Sequence, residues 1–157
     1  MSTPAPLPPP SVVVAELPFG AAWAAVYPLI AQLRPHLREA EFLERVGRAR
    51  AVAGYALYAA AAAPDSAVLG VAGVRRVCDL LHGPHLYVDD LVVDAAARSR
   101  GVGARLLAHV EAVAAGSGAL GVRLSTGIGH RAARRFYARE GWRALAVTYK
   151  KGFGATA

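Results

Sequence analysis

The sequence predicts a mixed α/β fold in the order β-α-α-β-β-β-α-β-α-β, and three observations carry the prediction. Segments with apolar residues every three or four positions alternate with short runs rich in Val, Leu and Tyr, and Gly or Pro punctuates most junctions. The length of 157 residues suits one hydrophobic core rather than two domains; a chain of this size buries roughly 70% of its unfolded surface. No internal repeat is visible.

Residues 1–10 contain Pro4, Pro6, Pro8, Pro9 and Pro10 and read as an extended, disordered tail, so the folded domain is placed at 11–157. Ser11 to Leu17, with Val12, Val13 and Val14, reads as a strand. Phe19, Trp23, Tyr27, Ile30 and Leu33 then follow helical spacing, with Pro28 and Pro35 expected to kink or end the helix. Glu39 to Val46 reads as a second amphipathic helix. Gly54 to Tyr58 and Val68 to Val74, joined through Pro64-Asp65-Ser66, form a predicted hairpin, and Leu86 to Val93 the next strand. Ala104 to Ala115 places Leu106, Leu107, Val110 and Val113 on one helical face. Val122 to Ser125 is a short strand, Arg131 to Glu140 a helix with Gly141 at its C′ position, and Trp142 to Tyr149 a terminal strand.

Composition excludes several classes. The longest apolar stretch falls short of the roughly 20 residues of a bilayer helix, and the N-terminus lacks the basic start and apolar middle of a signal peptide, so a cytoplasmic location and no membrane partner are expected. The hydrophobic fraction of 55% is inflated by 35 Ala. Cys78 is the single cysteine, which excludes a disulfide scaffold. A net charge of +7 calls for an anionic ligand or acidic partner. Because 16 of the 18 cations are Arg and the chain has no Asn, the preference for Arg over Lys is consistent with a GC-rich coding bias, and the charge alone says little about nucleic acid. A homodimer is one assembly the chain allows.

Chemistry concentrates in Arg98-Ser99-Arg100-Gly101-Val102-Gly103-Ala104-Arg105, between a strand and a helix. Gly101 and Gly103 let the backbone approach a ligand, and the helix behind them offers unpaired N–H groups and the positive end of its dipole. Arg98, Arg100 and Arg105 add positive charge, suited to a pyrophosphate. The segment is not a P-loop, since Ala104-Arg105 stands where Lys-Ser/Thr is needed, nor a dinucleotide fingerprint, since Leu106 stands where the third glycine belongs.

Arg98-x-x-Gly101-x-Gly103, the upstream Tyr87-Val88-Asp89-Asp90-Leu91-Val92-Val93 and the downstream Ala133-x-x-Phe136-Tyr137-x-x-x-Gly141-Trp142 together resemble the GNAT family of N-acetyltransferases, over roughly residues 11 to 150. The resemblance implies a mostly antiparallel, splayed sheet flanked by helices, and acetyl-CoA as co-substrate with an amine acceptor. It implies backbone groups along Leu91, Val92 and Val93 facing the acetyl carbonyl and pantetheine arm. It further implies that the Arg98, Ser99, Arg100, Gly101, Val102, Gly103, Ala104 loop holds the pyrophosphate, and that Tyr137 protonates the departing thiolate. Many members carry Asn where this chain has His130, which is therefore placed near the cofactor. The segment Arg34 to Glu41 corresponds to the wall of the acceptor pocket.

Direct transfer to an amine needs a base or water relay. Strict alternation puts Tyr87, Asp89, Leu91 and Val93 on one face and Asp90 and Val92 on the other, which makes Asp89 the first candidate and Asp90 the reserve. Cys78, His82 and His85 lack the further ligands a zinc site needs, so no metal is expected. Trp23 and Tyr27, one turn apart, read as core in preference to a substrate platform. The rival functions are a non-catalytic acyl-CoA sensor and an Arg-rich nucleic-acid module.

Overall fold

The structure, a computed structural model, describes residues 11–153, so the Pro-rich tail at 1–10 lies outside the described residues. The chain divides into two compact units after Leu124. The first contains β1 (Val13–Glu16), α1 (Ala21–Ala25), α2 (Tyr27–Leu33), α3 (Glu39–Ala53), β2 (Ala56–Ala61), β3 (Val68–Asp79), β4 (Gly83–Val93), a 3₁₀ turn (Ala95–Ala97), α4 (Val102–Gly116) and β5 (Val122–Leu124). The second contains α5 (Arg131–Arg139).

The predicted first helix breaks in two at Val26, because Pro28 has no N–H to continue the ladder and instead occupies the first turn of α2. Trp23 is the anchor of this region: its side chain is fully buried and its indole N–H donates to the Leu17 carbonyl at 3.0 Å. Tyr27 packs against Phe42 and donates to the Leu37 carbonyl at 2.8 Å, so the Trp23/Tyr27 pair is core.

The five strands lie in sequence order, antiparallel except for the β4–β5 pair, which is parallel. One face of the sheet carries α4, with Leu106, Val110, Val74, Leu86 and Val88 buried together. The other carries α1 to α3, with Trp23, Ile30, Phe42, Leu57, Val71 and Val92.

Strand β4 is not regular. Val74 pairs with Val88 but Gly73 pairs with Asp90, so Asp89 is one residue too many and forms a bulge. Even-numbered Leu86 and Val88 therefore share the α4 face with odd-numbered Leu91 and Val93. Strict alternation had placed Asp89 with Leu91 and Val93; the bulge overturns that expectation, because an extra residue reverses the inside-outside pattern beyond it. Pairing of β4 with β5 ends at Val88↔Leu124, so the two strands part company at the bulge.

In the second unit α5 ends before Gly141, which sits at φ +84°, and the Trp142 N–H donates to the Tyr137 carbonyl at 2.9 Å. The predicted terminal strand from Trp142 to Tyr149 is not formed: the segment carries neither helix nor strand, and Leu145, Val147 and Tyr149 are exposed. Local β propensity does not make a strand without a ladder partner. Among the described residues no helix is long and apolar enough to cross a membrane.

Replacing Trp23 with Ala should lower stability by about 3–5 kcal/mol, since it removes a fully buried ring. Urea unfolding followed by circular dichroism checks this, and an unchanged midpoint would mean that the residue is not in the core.

Candidate active site

Two features lie along the second half of β4 and just beyond it. The first is the strand-to-helix turn. Asp94 accepts from the Ala96 N–H at 2.9 Å and from the Gln32 side-chain amide at 3.0 Å, while Gln32 accepts from the Ala95 N–H at 3.1 Å, tying α2 to the end of β4. These bonds, that from Gln32 foremost, hold the Asp94 carboxyl below the usual carboxylate range. Ser99 (φ +61°) and Gly101 (φ +79°) then both adopt the left-handed conformation. For Ser99 that costs about 1–2 kcal/mol. Gly101 is the N-cap of α4 and no side chain caps the helix. The Arg105 N–H bonds back to Gly101, leaving the amides before it without an intrahelical partner.

The arginines expected around this turn are only partly available to it. Arg98 Nε donates to the Val93 carbonyl at 3.3 Å, and Arg105 reaches the Val12 carbonyl of β1 at 3.4 Å. Arg100 is exposed.

The second feature is a cavity of ≈ 470 Å³ on the α1–α3 face of the sheet. Asp89 and Asp90 both line it, as the bulge allows. Asp90 is held through both oxygens: Arg34 donates to Oδ1 at 3.0 and 3.2 Å, and the Tyr55 hydroxyl to Oδ2 at 2.9 Å. Arg34 also donates to the Asp89 carbonyl at 3.2 Å. Asp89 Oδ2 accepts from Arg75 Nε at 2.8 Å, and the Arg75 guanidinium lies 4.9 Å from the Tyr87 ring centroid. Burial pushes the Asp89 carboxyl up, against the opposing pull of Arg75. Burial next to Asp90 also pushes the Tyr55 phenol well above its ordinary value. Arg34, His36 and Leu37, all within the segment Arg34 to Glu41, line the cavity.

The sequence of this chain matches the profile of the acetyltransferase (GNAT) family over residues 23–142. An uncharacterized N-acetyltransferase of Bacillus subtilis (strain 168), YhdJ, is 32% identical over 115 residues, spanning 73% of this chain and 80% of the relative. The chain belongs to the GNAT acetyltransferase family. Solved structures agree on the fold of this GNAT protein. A transcriptional regulator from Bacillus halodurans C-125 superposes with a TM-score of 0.78 at 19% identity, covering 91% of this chain and 100% of the other. The aminoglycoside N-acetyltransferase AAC(6')-Iy, solved with CoA, gives 0.76 at 20% identity, covering 90% and 95%.

Within the first unit, the GNAT strand thus brings together Asp89, Asp90, Leu91, Val92 and Val93 and runs on into the Arg98 to Ala104 turn. Tyr137 and His130 belong to the second unit. Tyr137 lies between Phe136, at 5.2 Å, and Trp142, at 6.1 Å between ring centroids, and burial raises its phenol. His130 is the N-cap of α5, its ring against Gly127. Among the described residues no group of three or more His, Cys, Asp or Glu could hold a metal ion. His82 instead bonds Asp79 at 3.1 Å, and His85 is buried with Nδ1 2.9 Å from the Gly83 carbonyl.

Sequence reasoning missed Tyr55 and Arg75. Tyr55 bonds Asp90 and Arg75 bonds Asp89, contacts made across the fold at the bulge, which no local pattern reveals. Gly73 pairs with Asp90 directly beneath the Tyr55 ring, and a Cβ there would overlap the Tyr55 hydroxyl. Gly73→Ala should therefore destabilise the protein by about 1–3 kcal/mol. The cost should be smaller in a Tyr55→Phe background, a coupling that a double-mutant cycle of unfolding free energies measures. Additive costs would show that Tyr55 does not rest on Gly73.

Proposed function

We propose that the protein is an N-acetyltransferase that moves the acetyl group of acetyl-CoA directly to a primary amine of a small molecule or peptide. The observation that carries this reading is the placement of two complementary features on one strand. The uncapped amides of α4 follow β4, and a carboxylate-lined cavity opens at its bulge. The amides of Val102, Gly103 and Ala104 suit pyrophosphate oxygens, with Ser99, Arg100 and Gly101 shaping the turn. Beyond the bulge, Leu91, Val92 and Val93 are no longer paired to β5, which suits an extended pantetheine arm added along that edge. Membership of the family supports acetyl-CoA as the donor, as does the CoA in the structure of the aminoglycoside N-acetyltransferase.

In the transfer, the amine nitrogen forms a bond to the acetyl carbon and the carbon–sulfur bond breaks. The amine gives up one proton, and the departing thiolate takes one. Asp89 is assigned the first of these proton transfers, directly or through water, on grounds other than alternation. It faces the cavity and burial raises its carboxyl toward the range a base needs. Asp90, engaged at both oxygens, positions Arg34 and Tyr55. Tyr137, whose phenol stays protonated at neutral pH, is assigned the second transfer, with His130 near the cofactor.

Thiol release on incubation with acetyl-CoA and a pooled amine library, with mass spectrometry of the acetylated products, tests the reading. Acetyl-CoA binding with no release of CoA thiol in the presence of any amine would support a sensor instead. Tyr137→Phe should lower kcat about 10²–10⁴-fold with little change in acetyl-CoA affinity, and an unchanged kcat with chemistry limiting would remove Tyr137 from the mechanism.

The pH profile tests Asp89. As pH falls through its folded value the carboxylate is protonated and kcat/KM declines, and because burial raises that value the acidic limb should lie above the range of an ordinary aspartate. By the same shift, the folded protein holds this proton more tightly than the unfolded chain, a contribution to stability present at low pH and lost as pH rises through the folded value. Asp89→Asn should abolish the acidic limb. A limb that persists in Asp89→Asn and disappears in Asp90→Asn would transfer the role.

A further inference from the structure

We infer that the acceptor is an amine that also carries a carboxylate, an amino acid with an apolar side chain or a close equivalent, and not a polycation. The inference rests on the acetyltransferase reading and concerns which amine the cavity selects. Its wall holds three guanidiniums, Arg34, Arg45 and Arg75, against two carboxylates, Asp89 and Asp90. Both carboxylates are already paired, Asp89 with Arg75 at 2.8 Å and Asp90 with Arg34 at 3.0 Å. A single ammonium can share Asp89, but every further positive charge on the acceptor would meet guanidiniums with no other carboxylate among the residues that line the cavity.

Arg45 differs from the other two arginines. Its side chain is 64% exposed and its Nη2 stands 3.8 Å from Glu41 Oε1, longer than a hydrogen bond. Its fork of donors, on the exposed side of α3, suits a carboxylate, and the exposed His36 stands on the same cavity wall. The same cavity is lined by the apolar side chains of Ile30, Phe42 and Val46, all buried. An amine at Asp89, a carboxylate at Arg45 and an apolar side chain against that apolar lining satisfy each group with one ligand.

The test compares L-phenylalanine, L-phenylalaninamide and spermidine as acceptors for the full chain, by thiol release and by saturation-transfer NMR. L-Phenylalanine should show kcat/KM at least about tenfold above both others, since a charge-assisted hydrogen bond contributes roughly ten- to a hundredfold. Arg45→Gln, an exposed position on a helix, should reduce the ratio of L-phenylalanine to its amide by about tenfold, through KM. Acetylation of spermidine or the amide as fast as L-phenylalanine would overturn the inference while leaving the enzyme an N-acetyltransferase. If no probe releases thiol, the acetyltransferase reading is the one that suffers, and NMR decides the inference. Saturation transfer to L-phenylalanine that weakens in Arg45→Gln upholds it, and absence of transfer overturns it.

Discussion

The organisation of the site depends on the Arg34 guanidinium, which bonds the Asp89 carbonyl and the Asp90 carboxylate together. A bulge introduces an extra residue whose backbone groups fall out of the ladder, and in a half-buried strand an unsatisfied carbonyl is costly. Arg34 supplies a donor to that carbonyl, and Arg75 supplies one to the Asp89 side chain. With the bulge held, Leu86 and Val88 pack under α4 together with Leu91 and Val93, and the two aspartates turn toward the helices α2 and α3. Without it, one half of β4 would present its apolar residues to the wrong layer.

From that constraint the functional geometry follows in both directions along β4. Toward its C-terminal end, Asp94 and Gln32 lock the strand's exit to α2, the left-handed turn at Ser99 and Gly101 delivers the chain into α4, and the helix begins without a side-chain cap. Such a helix start is a ready acceptor of anionic groups. Toward the bulge, β5 stops pairing and the carboxylates meet the cavity. The uncapped helix start and the cavity thus both lie along the course of β4 and the turn that follows it. The electrostatics at the cavity are those of a pre-balanced wall, in which Asp89 and Asp90 each already have a guanidinium partner.

Much of this was legible in the sequence, for reasons of range. The glycine-arginine turn, the helix behind it and the alternation of helical and β-rich segments depend on residues close together in the chain, and the structure reproduces them within a few residues. The bulge depends on register between two strands, where Val74 meets Val88 but Gly73 meets Asp90, and nothing within Leu86 to Val93 announces it. Arg34 and Asp90 are 56 residues apart, so their pairing is a product of the fold and not of a motif. The segment from Trp142 to Tyr149 failed for the opposite reason: its local propensity is high, but a strand also requires a partner.

Backbone NMR across β3 and β4 tests the bulge most directly. The account predicts cross-strand proton contacts between Val74 and Val88 and between Gly73 and Asp90, with Asp89 lacking a partner of its own. Contacts between Gly73 and Asp89 and between Ala72 and Asp90, the uninterrupted register, would contradict it, since the two aspartates would then point to opposite faces of the sheet.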